Sequence, residues 1–199
     1  MNDISSLAVV KENVTLGKNI VIEEFCLIGI PDKSSQGKVV VANGAVIRAG
    51  TYIYSGVSIG ENFQSGNKVN IRHNSTIGNN VSIGTNTVLE HSVEIGNGTR
   101  LHSSCFVPEF TSIGEDCWIG PNVTFTNAKY PNRQDTKKKL APVIIEPDVV
   151  IGAGVTLLPG CVIGRGAFVG AGSLVTSNVK PNHLIYGTPA VSHGYLERR

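Results

Sequence analysis

"NIRHNSTIGNNVSIGTNTVLEHSVEIGNGTRLHSSCFVPEFTSIG", Asn70 to Gly114, puts an aliphatic residue on every sixth position: Ile71, Ile77, Ile83, Leu89, Ile95, Leu101, Val107 and Ile113. Glycine usually follows, as at Gly78, Gly84, Gly96 and Gly114, but Arg72, Glu90, His102 and Pro108 take its place at four points. His73, His91 and Glu109 sit beside three of these. Apolar residues do not recur at three and four, so helix is not read. Each unit reads as a short β-branched strand and a turn rich in Gly, Asn, Asp or Ser.

Outward from this stretch the frame starts at Ile47, reaches Phe125 with a break only at Ser65, and restarts at Ile145 to run to Val175. A weaker early frame holds Leu16, Ile22 and Ile28. A fixed period marks a repeat architecture. One such strand cannot bury its own face, whereas stacked coils can, pairing through parallel ladders about 4.8 Å apart. The expectation is an all-β stack over residues 1–179, with a capping tail at 180–199. The frame slips mark two loops, about 29–38 and 127–142. The second carries Lys129, Arg133, Lys137, Lys138 and Lys139 against one acid, Asp135, and suits a solvated excursion or a lid over an anionic ligand.

The chain has 199 residues and a formal net charge of +2, which does not suggest a nucleic-acid binder. The start lacks a basic and then apolar leader, and no run approaches the roughly 18 apolar residues of a membrane span. The reading is a soluble, cytoplasmic protein. Cys26, Cys105, Cys117 and Cys161 form no CxxC pair; each follows a frame residue by four, a slot held elsewhere by Ser75, Val81, Thr87 and Val93. Cysteine there reads as a small hydrophobe.

The units resemble those of the hexapeptide-repeat acyltransferases. "IGAGVTLLPGCVIGRGAFVGAGSLVTSNVKPNHLIYGTPA", Ile151 to Ala190, looks like the acyl-CoA-binding signature of that superfamily. The resemblance implies a left-handed parallel β-helix, a homotrimer with sites between subunits, acetyl-CoA or another acyl-CoA as co-substrate, and no metal. "VIRAGTYIYSGVSIGENFQSGNKVNIR" and "CWIGPNVTFTNAKYP" look like the branch that N-acylates nucleotide-linked amino sugars for surface polysaccharides. Two departures stand out. Asn127 lies where related O-acyltransferases carry a catalytic histidine, and residue 67, often histidine in related amino-sugar enzymes, is Asn67.

Three units per coil, as in the family, would stack residues 18 apart. His73, His91, Glu109 and Asn127 then form one column, with Arg72, Glu90, Pro108 and Thr126 beside it and the basic loop leaving the same corner. His102 falls on another face. Histidine titrates near neutrality, and a carboxylate can orient it and raise its basicity. His91 with Glu109 or Glu90 is therefore the candidate catalytic group, and Arg72, His73, His102, Asn127 and Tyr130 are candidate sugar-binding residues. The alternative is that these groups only hold the sugar and proximity supplies the rate. The small residues Gly152, Ala153, Gly170 and Ala171 would let pantetheine approach the backbone, and Lys180 and Arg198 are candidates for the CoA phosphates. Alternatives are transfer to a hydroxyl of a sugar or other small acceptor, a zinc-dependent hydratase using His73, His91 and His102, and a non-enzymatic scaffold.

Overall fold

The computed structural model describes residues 1–196. The chain winds as a left-handed parallel β-helix of about ten turns. Its three faces are parallel sheets of 11, 9 and 8 strands, and the first ends in one antiparallel strand. Successive coils pair at a separation of 18: Gln64 with Ser82, Asn70 with Val88, Thr76 with Glu94. Ile83 lies on the first face, Leu89 on the second and Ile95 on the third.

Two positions of each unit point inward. One is the frame aliphatic. The other is the slot four residues on, where Val57, Phe63, Val69, Val81 and Val93 are buried. Thr and Ser enter this slot because the stack offers them partners. Thr87 Oγ1 donates to the His102 carbonyl (3.0 Å) and accepts from Cys105 N–H (3.2 Å). Thr99 does the same with the Gly114 carbonyl (2.6 Å) and Cys117 N–H (3.0 Å). Cys105 Sγ copies the first contact, lying 3.2 Å from the Gly120 carbonyl. The four cysteines are unbridged and buried, and burial pushes each thiol up from its usual range. They are structural filler.

Glycine after the aliphatic residue serves close approach and not a left-handed turn. A Cβ on Gly96 would lie 2.6 Å from Glu115 N and Gly114 C, and one on Gly78 would lie 2.8 Å from Asn97 N. The left-handed residue comes two positions later, at Asn62, Asn80, Asn86, Asp116 and Asn122. Asn and Asp tolerate that conformation best after glycine.

One corner does without glycine. After the second face, from Tyr54 onward, the positions are Tyr54, Arg72, Glu90, Pro108, Thr126, Leu158 and Thr176. Both excursions leave from it, between Leu27–Ile30 and Val39–Val41 and between Thr124–Phe125 and Ile144–Ile145. Pro108 has no N–H, and only Phe106 and Thr124 pair where neighbouring strands match two residues. At the far end, His183–Gly187 joins the first face in parallel and Ala190–Tyr195 folds back on it.

Gly96→Ala should lower stability by about 1–3 kcal/mol, since its new methyl meets backbone that cannot yield. Gly172→Asn, at a left-handed position with open space around it, should leave the melting temperature nearly unchanged. Thermal denaturation of the two variants checks the contrast.

Candidate functional site

The glycine-free corner carries most of the polar residues singled out by sequence. Coil stacking sets His73 directly on His91, with ring centroids 4.8 Å apart and planes within 12°. The Phe110 ring meets His91 edge-on at 5.1 Å. His91 Nδ1 lies 3.2 Å from Ser92 Oγ. One coil on, Asn127 Nδ2 donates to Glu109 Oε2 at 2.7 Å. The column of His73, His91, Glu109 and Asn127 thus exists as a physical stack.

The carboxylates are not paired as expected. Among the described residues no ion pair joins His91 to Glu109 or Glu90. Glu109 is taken by Asn127, and Glu90 faces Arg72 at 3.9 Å. The acid that reaches the histidine stack is Asp32, from the early excursion. Its carboxylate stands 3.5 Å from His73 Nδ1 and 3.7 Å from the Arg72 guanidinium. The guanidinium also lies over the Tyr54 ring at 4.9 Å. Ser34 N–H donates to Asp32 Oδ1 (2.8 Å). That bond, with the charges of His73 and Arg72, holds the carboxyl below its usual range. The excursion is fixed by Ser35, which donates to Asn74 Oδ1 (2.7 Å) and accepts from Ser55 Oγ at its carbonyl (2.8 Å). Sequence reasoning missed Asp32 because it lies outside the repeat frame. The lone acid beside proline in a frame-breaking loop was its only mark.

His102 does not join this cluster. It follows Leu101 on the first face and packs against Trp118 at 4.5 Å, with Arg100 over the same indole at 5.4 Å. It borders a shallow groove of about 220 Å³ lined by Gln64, Ser82, Arg100 and Ser103. Burial and then the Arg100 charge lower its pKa. Gly152, Ala153, Gly170 and Ala171 line the same corner as His102, the glycines half-buried and the alanines exposed. Tyr130 lies in the basic excursion, with Lys129 Nζ and Arg133 Cζ at 5.7 and 5.6 Å from its ring centre. Asp135 pairs with Lys139 (2.6 Å) and Arg133 (3.5 Å). Lys180 is exposed near the end of the coil stack. Arg198 lies outside the described residues.

Parallel stacked imidazoles aim their nitrogen lone pairs side by side, not at a common point. Among the described residues no three His, Cys, Asp or Glu side chains are grouped for a metal. The three-histidine zinc arrangement therefore has no ligand set within the described chain.

Burial lowers the His73 pKa from its ordinary value, and Asp32 partly opposes this. The unfolded chain thus binds the proton more readily, and stability falls as pH drops below the ordinary histidine value of about 6.5. Asp32→Asn removes the opposing charge, so His73 should titrate still lower and the acid-side loss should deepen. Imidazole NMR titration and melting curves at descending pH check both.

The family described as GMPPB C-terminal domain matches residues 35–139, and that described as bacterial transferase hexapeptide (six repeats) matches residues 142–177. A galactoside O-acetyltransferase of Lactococcus lactis is 43% identical over 82 residues, covering 39% of this chain and 40% of the relative. A tetrahydropyridine-dicarboxylate N-acetyltransferase of Staphylococcus aureus is 50% identical over 50 residues, 25% of this chain and 21% of that one. The chain thus spans two fifths or less of the length of these relatives. The crystal structure of a polysialic acid O-acetyltransferase superposes with a TM-score of 0.60 over 93% of this chain and 92% of that one, at 22% identity, and shares the fold. No helix among the described residues is long and apolar enough to cross a membrane. The two family matches run almost end to end from residue 35 to 177, and the chain belongs to the GMPPB C-terminal domain family over the first of them and, through the hexapeptide repeats of the second, to the hexapeptide-repeat acyltransferase superfamily.

Proposed function

We propose that this protein transfers an acyl group, acetyl first of all, from acyl-CoA to the amine of a nucleotide-linked amino-deoxysugar, as a cytoplasmic homotrimer. Membership of the superfamily supports acyl transfer, and relatives named for O- and N-acetyl transfer support acetyl as the group. The observation that carries the choice of site is the His73–His91 stack, flanked by Phe110 and bracketed by the two long excursions from the repeat among the described residues. Polar, titratable groups converge there on a rigid scaffold, where binding sites concentrate.

In this reading His91 Nδ1–H donates to Ser92 Oγ, which leaves Nε2 as the base. The tautomer is assigned from that contact. The acceptor nitrogen attacks the thioester carbonyl, the new C–N bond forms as the C–S bond breaks, and the amine proton passes to Nε2 and on to the departing thiolate. Asp32 and Arg72 fix His73, and His73 fixes the plane of His91. Glu109 and Asn127, locked to each other, offer oxygen and amide groups to the sugar, with Glu90 and Tyr130 beyond them. Gly152, Ala153, Gly170 and Ala171 give pantetheine access to the backbone on the corner that also carries His102, and Lys180 is the described candidate for the CoA phosphates. The coil stack to residue 179 is the catalytic body and 180–199 its cap.

The galactoside O-acetyltransferase match favours one other acceptor, a sugar hydroxyl. A thiol-release assay with acetyl-CoA over dTDP- and UDP-linked amino sugars, with galactosides alongside, decides between them. Turnover is expected with an amino sugar. Release with galactosides alone would assign an O-acyl acceptor, and release with none would overturn acyl transfer to sugars. His91→Ala should lower kcat by about 100-fold or more, the scale of a lost general base. Near-normal turnover would leave His91 only a binding role.

A further inference from the structure

Phe110 occupies a position that most coils of the repeat fill with a small or amide-bearing residue. It is the third residue after a frame aliphatic, with φ of 63°. Elsewhere that slot most often takes Asn62, Asn74, Asn80, Asn86, Asp116, Asn122 or glycine, which accept left-handed backbone at small cost, and less often Ser92, Ser104, Lys68 or Phe25. A bulky aromatic there is an outlier. Its ring gains nothing from the core, since the side chain is half exposed (49%) and points outward. Its N–H makes the coil-to-coil bond that this slot makes throughout the stack, here to the His91 carbonyl at 3.3 Å, and so the residue is held beside His91. Its ring stands edge-on to the His91 imidazole at 5.1 Å. The preceding Pro108 removes a rung from the ladder in the same coil. A strained, exposed aromatic beside a titratable stack is the pattern of a residue kept for a ligand.

We propose that Phe110 is the stacking wall for the C–H face of the acceptor's sugar ring, and so selects deoxygenated sugars over fully hydroxylated ones. The inference rests on the site proposed above and deepens it. Distance chooses the sugar over the base. A group that touches both the Phe110 ring and a nitrogen at His91 lies within about one ring width of the reacting amine, whereas the nucleobase is held away by a diphosphate. A ring face that has lost hydroxyls presents an unbroken set of C–H bonds to the aromatic surface, and a hydroxyl on that face would be buried without a partner.

Phe25 supplies the control. It holds the same slot after Ile22, with φ of 59° and an exposed ring (66%), but on the corner after the first face, away from the histidine stack. Phe110→Asn and Phe25→Asn should both raise the melting temperature, since each relieves the same backbone. Saturation-transfer NMR with a dTDP-linked 4-amino-4,6-dideoxyhexose should show transfer to the sugar-ring protons in the parent protein. That transfer should fall at least threefold in Phe110→Asn, stay unchanged in Phe25→Asn, and return in Phe110→Tyr. In turnover, Phe110→Asn should raise the acceptor KM about tenfold with the acetyl-CoA KM within twofold. Unchanged transfer in Phe110→Asn, transfer to base protons only, or no transfer in the parent protein would overturn the assignment. Binding without thiol release would instead sink acyl transfer and leave the stacking wall standing.

Discussion

The structure depends on one constraint: each coil's backbone must sit within hydrogen-bonding distance of the next, at a fixed separation of 18 residues. The ladders set coil spacing, and at the glycine-bearing coils of two of the three corners that spacing leaves no volume for a Cβ, while Arg48, His102 and Glu146 mark coils of those corners that take a side chain. Glycine at Gly78, Gly96 and Gly114 is thus a packing requirement. The same spacing brings a corner carbonyl within reach of each inward hydroxyl or thiol, which is why Thr87, Thr99 and Cys105 are interchangeable fillers of one slot. A core built this way grows by repetition, each coil contacting its neighbours alone.

The remaining corner escapes that constraint, and the chemistry collects there. Side chains project from it, coil stacking sets one imidazole on another, and excursions leave from it at two heights. Stacking does more than gather residues. It fixes His73 and His91 as parallel plates, which suits one ring steadying another and does not suit convergence on a metal ion. A proline in the ladder and one of the two phenylalanines on left-handed backbone fall in the coil directly after His91. Departures from an otherwise regular pattern concentrating at one place are what functional demands impose on a scaffold.

Much of this was legible beforehand. The six-residue aliphatic period names the strands, and the three units per coil that the resemblance implies, counted in eighteens, put His73, His91, Glu109 and Asn127 in one column and His102 elsewhere. Three things were not legible. The hand of the helix came only through resemblance, because aliphatic spacing is the same for either hand. Asp32 lies in a loop without a frame, so no count carries it to His73, 41 residues on. The partner of Glu109 could not be read because residues one coil apart on either side compete for it, and Asn127 wins over His91. The glycines were read correctly as a pattern, but their cause, contact with the next coil, appears only when coil spacing is known.

Two meshed corners and one open corner amount to a division of labour along the chain. At a meshed corner an inserted residue would push a glycine out of its notch and part the coils above it. At the open corner it would only lengthen a loop, and loop lengthening costs little. The protein therefore keeps a port through which new recognition surface can be added, shortened or exchanged while the rest of the solenoid stays closed like a zip. Specificity can drift at that port without the stability of the stack drifting with it.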